Sequence, residues 1–338
     1  MEFLITDSNI HMLVKKYIKD KNELPPQLQN ILIGEWDVSR VTSMANMFSG
    51  ATNFNEDLNG WNVSRVTNMS NMFSGARSFN QDLNRWNVSN VFNMSSMFEY
   101  ATSFTGNIGN WRVLNVINMS NMFYNATSFN QDLTRWNVSR VNNMAYMFLG
   151  ATSFNGNIGN WNVSRVISMY CMFYKAINFN QDLSRWDVSN VTNMYAMFYN
   201  ATSFNQDLSR WNVSNVRDMS NMFSGATSFD INPNWEIHPE TNTMDMFKGT
   251  VLEPLTPLDA FWKARYATEQ IAPNQLDART HLDLAQYSGL QGTRKDYITL
   301  DDKEAYLPKE GGRRRTKQRK TKRRKSAKKR KMRSHQKR

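Results

Sequence analysis

Apolar and polar positions follow one another along most of this chain in a pattern that returns every 25 residues. In one copy, Leu58, Trp61, Val63 and Val66 fall as L-x-x-W-x-V-x-x-V, with polar Asn62 and Ser64 between the apolar positions. Alternation of period two predicts a short strand with one buried face. Val66, Met69, Met72, Phe73 and Ala76 then follow three or four residues apart, which predicts a short helix. Gly75 stands where a helix end takes a left-handed residue, and Asn125 and Asn200 hold that place in two other copies. An irregular S-F-N-Q-D-L stretch closes the copy, so the expected unit is strand, turn, short helix and loop.

Trp36, Trp61, Trp86, Trp111, Trp136, Trp161, Trp186 and Trp211 mark successive copies, and Trp235 arrives one residue early. Self-similarity of this length predicts stacked copies of one small unit, about nine of them, because a single copy cannot bury its own apolar side chains. The expected fold class is an α/β repeat solenoid over 36–250. Residues 1–35 are expected to hold a capping helix, with Asp7, Ser8 or Asn9 as its cap, Ile10, Leu13, Val14, Tyr17 and Ile18 on one face, and Pro25 and Pro26 ending it. The unit from Trp235 is degenerate and reads as the closing copy. Thr256 and Pro257 open a second capping helix over 251–272 that carries Phe261, Trp262 and Tyr266, followed by a polar linker over 273–312.

Columns of equivalent residues suggest which side chains serve the stack. An Asn after the loop Phe recurs as Asn55, Asn80, Asn130, Asn155, Asn180 and Asn205, and is expected to satisfy loop backbone groups of its own and the next copy. Asp82/Arg85, Asp132/Arg135, Asp182/Arg185 and Asp207/Arg210 recur together and vanish together where the loop reads GNIGN, which suggests that they pair. A sharper signal lies where copies disagree. Ser70, Asn71 and Ser74 become Ala145/Tyr146/Leu149, Tyr170/Cys171/Tyr174 and Tyr195/Ala196/Tyr199, with Tyr124 beginning the change. Stacked in register, Tyr124, Tyr146, Leu149, Tyr170, Tyr174, Tyr195 and Tyr199 should form one apolar strip on a convex flank. Such a strip suits a protein partner, or the chain's own C-terminal helix around Trp262.

Charge divides the chain. Formal net charge is +12, but residues 313–338 hold 17 Lys/Arg and no Asp or Glu, leaving 24 basic and 29 acidic residues elsewhere. Arg313, Arg314, Arg315, Lys317, Arg319, Lys320, Lys322, Arg323, Arg324, Lys325, Lys328, Lys329, Arg330, Lys331 and Arg333 belong to what is expected to be a disordered basic tail, since it has almost no apolar residue. It suits phosphate contacts by counterion release, a nuclear import receptor, or an anionic lipid surface. The single cysteine, Cys171, excludes an intrachain disulfide and a Cys-based zinc site. His11, His238, His281 and His335 fall in different segments without metal spacing, and no nucleophile elbow or phosphate loop occurs. No catalytic residue, cofactor or metal is expected. The N-terminal stretch does not read as a signal peptide and no apolar run suffices for a transmembrane segment, so an intracellular or virion location, in host cytoplasm or nucleus, is expected.

The block W-[DN]-V-S-[NR]-V-x-x-M-x-x-M-F-x-x-A-x-x-F-N-x-D-L, from about Trp36 to Gly249, resembles the 25-residue repeat of the BspA-like leucine-rich-repeat surface proteins. That repeat was described from mycoplasma-type lipoproteins and also occurs in large DNA viruses and protists. The resemblance implies a leucine-rich-repeat-like, right-handed solenoid. Relatives on bacterial surfaces act as adhesins, a role that this chain's N-terminus does not support. The basic ending after Gly311 and Gly312 is similar to termini of giant-virus proteins. The reading is a non-enzymatic protein-interaction scaffold whose tail binds nucleic acid or directs nuclear import. Its alternatives are a structural, virion-associated component whose tail neutralises nucleic acid, and a surface adhesin.

Overall fold

The structure is a computed structural model that describes residues 3–253. From Trp36 onward it is a stack of tandem units that share one continuous core. In the second unit Leu58, Trp61, Val63, Val66, Met69, Met72, Phe73, Ala76 and Phe79 are all buried, and their equivalents are buried in the copies that follow through the eighth, whereas Trp235 and Ile237 of the closing copy are half-buried.

The expected strand and helix are not what organises the unit. The four helical elements among the described residues all precede Trp36, and the repeats carry isolated parallel bridges in place of a sheet. Each unit is a chain of tight turns instead. Trp61 N–H donates to Leu58 O, Val66 to Val63, Met72 to Met69, Ala76 to Phe73 and Phe79 to Ala76, at 2.9–3.2 Å. A succession of such turns returns the chain to the interior about every third residue, which produces the three-and-four spacing without a helix. Two left-handed residues per unit, Asn71 (φ 54°) and Gly75 (φ 71°), interrupt any helical run. Gly75 is left-handed as expected, but inside a turn and not at a helix end.

Neighbouring units are joined through this same segment. Met69, Asn71, Phe73 and Gly75 donate their N–H groups to Asn93, Ser95, Met97 and Glu99 of the next unit at 2.6–2.9 Å, and Thr67 N–H donates back to Thr42 O at 2.8 Å. These rungs account for most backbone polar groups of the segment, as burial requires. Isolated parallel bridges fall on equivalent residues, from Ser43↔Asn68 through Asp218↔Asn242. The rungs therefore sit on V-x-x-M-x-x-M-F-x-x-A, and W-x-V makes none.

Aromatic rings set the register. Consecutive tryptophans from Trp86 to Trp235 stack with their planes nearly parallel, with centroids 6.2–6.4 Å apart inside the array and 6.1 Å at its end. Phe73 stacks on Phe98 at 5.5 Å, Phe79 on Phe104 at 5.9 Å, and Phe73 on Phe79 within the unit at 4.0 Å. Each such pair adds about 0.5–1.5 kcal/mol beyond the area that it buries.

The N-terminal end is closed by α1 (Ile10–Lys19), which buries Ile10, Leu13, Val14 and Tyr17 into the same core as Trp36 and Val38. Ile18 is exposed. Asn9 stands at the helix start, but its side chain accepts from Thr6 N–H at 2.9 Å and caps no helical N–H. Asp7 does other work. Its carboxylate accepts from Thr42 N–H at 2.8 Å, Ser43 N–H at 3.0 Å and Thr42 Oγ1 at 2.7 Å. Thr67 finds a carbonyl in the unit before it; for Thr42 no such unit exists, and Asp7 supplies the acceptor. The second short helix, α2 (Pro26–Gln29), begins at one of the two prolines. The C-terminal capping helix, the linker and the basic tail expected from the sequence lie outside the described residues, apart from 251–253.

Candidate interaction face

The rung segment points Met69, Met72, Phe73 and Ala76 into the core and leaves the equivalents of Ser70, Asn71, Ser74 and Gly75 on its outer side. The tyrosine strip therefore lies on the hydrogen-bonded rungs, not on a helical flank. The aligned copies do bring it together. Tyr100 and Tyr124 have ring centroids 5.2 Å apart, Tyr124 and Tyr146 6.5 Å, Tyr146 and Tyr170 5.0 Å, and Tyr170 and Tyr195 4.8 Å. Beside this file Tyr174 stacks on Tyr199 at 4.7 Å, with Lys175 Nζ 5.3 Å from the Tyr174 ring centre.

The strip is much less exposed than its outward position suggests. Tyr124, Leu149 and Tyr170 are buried, Cys171 and Ala196 are buried, and Tyr146, Tyr174, Tyr195 and Tyr199 are half-buried. Burial, followed by the neighbouring Tyr100 phenol, pushes the Tyr124 phenol far above its ordinary value. The Tyr124 hydroxyl therefore stays neutral at physiological pH.

Backbone geometry marks the same units. The left-handed place that Asn46, Asn71, Asn121 and Asn221 occupy is taken by Tyr146 (φ 60°), Cys171 (φ 51°) and Ala196 (φ 49°) in three consecutive copies. Asn tolerates this conformation; for Tyr, Cys and Ala it costs roughly 1–2 kcal/mol each. The second left-handed place, usually Gly or Asn, holds Tyr100 (φ 55°) and Lys175 (φ 56°). Units three, five, six and seven thus carry backbone strain at Tyr100, Tyr146, Cys171, Lys175 and Ala196, where other units place Asn or Gly, which is the pattern of side chains kept for a contact.

One part of the face went unnoticed in the sequence. The position of Thr67 and Thr192 becomes Phe92, Ile117 and Ile167 in the same middle units. Phe92 and Ile117 are 45% and 43% exposed and joined by a rung, Ile117 N–H to Phe92 O at 2.9 Å, and Leu114 close by in sequence is 47% exposed. The signal that exposes them is the one used for the tyrosines, a column that departs from its own consensus. Charge is sparse across all nine rung segments: Glu99, Asp218 and Asp245 against Lys175, Arg217 and Lys248.

The other columns are structural. Asn55 Oδ1 accepts from Asn80 N–H at 2.8 Å, Asn155 from Asn180 at 2.9 Å and Asn180 from Asn205 at 2.9 Å, so each Asn serves the next unit as expected, though from the surface and not turned inward. The Asp and Arg columns do not pair. Asp132, Asp182 and Asp207 accept from the N–H two residues on, at 2.8–2.9 Å, while Arg135 donates to Asn110 of the preceding unit at 2.7 Å. Asn107 and Asn157 make the same local turn with Gly109 and Gly159, so the charge can be lost without losing the turn. The joint disappearance of Asp and Arg reflects a changed loop, not a broken ion pair.

Among the described residues no group of three or more His, Cys, Asp or Glu is placed to hold a metal, and no helix is long and apolar enough to cross a membrane. A cavity of about 380 Å³ between α1 and the first unit is lined by Tyr17, Lys21, Phe54 and Glu56. There Tyr17 hydroxyl donates to Glu56 and accepts from Lys21 Nζ at 2.9 Å, an arrangement that ties the cap to the loop. The basic residues from Arg313 to Arg333 lie outside the described residues.

No curated protein and no solved structure matches this chain. A family model does, in overlapping segments over residues 18–134, 85–176, 105–201 and 157–253. Together with the aligned aromatic files these matches span most of the chain, which belongs to the family described as "Mycoplasma protein of unknown function, DUF285".

Proposed function

We propose that this chain is a non-enzymatic scaffold whose rung face binds a protein and whose basic tail engages a polyanion or an import receptor. One observation carries the reading. In units three to seven the outward rung positions abandon the polar residues of the repeat for Tyr, Leu, Phe and Ile, with almost no charge and, at Tyr100, Tyr146, Cys171, Lys175 and Ala196, at a cost in backbone strain. A polar, sequence-tolerant surface would need none of this; apolar, Tyr-rich patches favour protein contacts. The sparse charge of the face also speaks against nucleic acid there, since that binding draws on phosphate neutralisation. The tail, with 17 Lys/Arg among its 26 residues, has the composition for it. A leucine-rich-repeat-like, right-handed winding inside the cell or a particle completes the reading.

Affinity capture tests it. Phe92→Thr, Ile117→Thr and Ile167→Thr together restore the residue that the repeat uses at Thr67 and Thr192. Loss of discrete protein partners, with an unchanged thermal midpoint, supports the face as the docking site. Unchanged capture overturns it, and bulk recovery of nucleic acid as the sole associate favours a packaging role. For the tail, affinity for duplex DNA must fall steeply with rising salt; affinity that barely moves rejects the polyelectrolyte reading.

A further inference from the structure

Unit four departs from the repeat at three outward places at once. In the first eight units Ser holds the place of Leu114 everywhere else, and Arg112 stands where five other units have Asn. Ile117 stands where Thr42, Thr67 and Thr192 do. Elsewhere the Asn and Ser close the corner together: the Ser hydroxyl donates to the Asn Oδ1 at 2.7 Å in Asn62–Ser64, Asn87–Ser89 and Asn162–Ser164. Unit four lacks that pair and keeps the backbone turn, Val116 N–H to Val113 O at 2.9 Å. Arg112 and Leu114 are exposed on either side of buried Val113, so both face outward, and exposed Ile117 follows the turn.

Two further arginines, both exposed, reach back onto this corner from unit five. Arg135 Nη1 donates to Asn110 Oδ1 at 2.7 Å, and Arg140 Nη1 to Asn115 Oδ1 at 2.8 Å. Asn115 is itself held, its Nδ2 donating to Ser89 O at 2.8 Å. One donor of each guanidinium thus fixes its position and leaves the rest of the planar fork for another acceptor. Acid is scarce around them. No Asp or Glu occurs between Glu99 and Asp132, and Asp132 accepts from the N–H and hydroxyl of Thr134. Residues 100–181 hold Arg112, Arg135, Arg140, Arg165 and Lys175 against Asp132 alone, in a chain that is net acidic before its tail. The GNIGN loops contribute to this balance, since Asn107 and Asn157 keep the local turn without the carboxylate.

The geometry points to unit four as the anchor for an acidic segment of a partner protein. A bulky apolar side chain of that segment packs on Leu114 and Ile117, and carboxylates on either side of it take the forks of Arg112, Arg135 and Arg140. The inference rests on the docking face proposed above and names the chemistry of its partner. A carboxylate matches the guanidinium fork in a bidentate pair, and an apolar contact beside it keeps water from the pair. A phosphate backbone is bound through charge and gains nothing from exposed Leu114 and Ile117.

The probe is a short synthetic peptide of Asp and Glu with one photoreactive, diazirine-bearing leucine at its centre. It is irradiated with the full chain, and the cross-linked residues are mapped by mass spectrometry. Expected are cross-links within residues 110–117, with a yield there that falls at least ~tenfold when Arg112→Gln, Arg135→Gln and Arg140→Gln are combined. Leu114→Ser should lower it too, with the thermal midpoint unchanged. Should the triple variant melt early, Arg112→Gln alone repeats the comparison, because it spares the bonds to Asn110 and Asn115. Cross-links confined to the basic tail overturn the anchor, as does a yield at unit four that ignores the arginines. A thymidine oligonucleotide with a photoreactive base that labels unit four with the same arginine dependence, and equally in Leu114→Ser, would give the site to nucleic acid instead. Cellular partners lost on the Phe92, Ile117 and Ile167 replacements but kept by the arginine variant would leave the docking face standing and remove its acidic chemistry. Partners kept by both would remove both.

Discussion

The indole N–H of Trp111 donates to the carbonyl oxygen of Leu83, 28 residues earlier, at 2.9 Å in a buried setting. The same bond recurs from Trp61 to Ile33, Trp86 to Leu58 and onward to Trp211 and Leu183. Trp36 has no unit before it, and its buried Nε1 is without a partner. A period of 25 is thereby built into a hydrogen bond as well as into packing. Trp111→Phe takes from the buried Leu83 carbonyl one of its two donors and leaves it Trp86 N–H at 3.1 Å, a loss of about 0.5–1.5 kcal/mol on top of the smaller ring. Trp36→Phe incurs only the ring. Denaturant titration should therefore find Trp111→Phe the more destabilising by at least ~0.5 kcal/mol. Equal losses would show that packing alone holds the tryptophan file.

Lys175 is exposed and left-handed at φ 56°, in a column where Gly75, Gly150 and Gly225 stand. Lys175→Gly removes the strain and little buried surface, so stability should rise by up to about 1 kcal/mol. A thermal midpoint that falls instead would mean that the ammonium over the Tyr174 ring outweighs the backbone cost.

In the GNIGN loops the chain passes close under the preceding copy. A Cβ on Gly156 would lie 2.0 Å from the Gln131 carbonyl oxygen and 3.0 Å from its carbon. Because that neighbour is backbone, Gly156→Ala must shift one unit against another, at roughly 1–3 kcal/mol. A melt unchanged within experimental error would contradict so close an approach.

Acid should weaken the array. Hydrogen bonds from the Thr134 hydroxyl and N–H hold the Asp132 carboxyl below its ordinary value of 3.8, and the N–H and hydroxyl of Ser184 do the same for Asp182. At Asp7 burial works the other way, but hydrogen bonds from Thr42 and Ser43 outweigh it and the carboxyl again lies low. A carboxyl lowered by folding stabilises the native state above its unfolded value, and that contribution is lost as pH falls through the folded value. The thermal midpoint should hold steady from neutrality to about pH 5 and drop below about pH 4. Asp132→Asn with Asp182→Asn keeps both turns, as Asn107 and Asn157 do naturally, and should flatten that drop. An acid profile identical to the unaltered chain would place the sensitivity elsewhere.

The periodic tryptophans, the shared core and the existence of a stack were legible in the sequence, because a copy that cannot bury its own side chains leaves no alternative to stacking. So was the role of the Asn column, since an Asn at a fixed place in a loop must serve neighbouring backbone. Secondary structure was not legible. Val66, Met69, Met72 and Phe73 have helical spacing, and a chain of tight turns with Asn71 and Gly75 left-handed gives the same spacing. Side-chain periodicity records which residues face inward, not which carbonyl each N–H finds. Tertiary structure alone decided that the rungs run through Met69 to Gly75, that Asp132 caps its own turn while Arg135 reaches back to Asn110, and that the tyrosine column lies on the rungs. Those outcomes depend on contacts between copies a full period apart, where a single repeat read by itself holds no information.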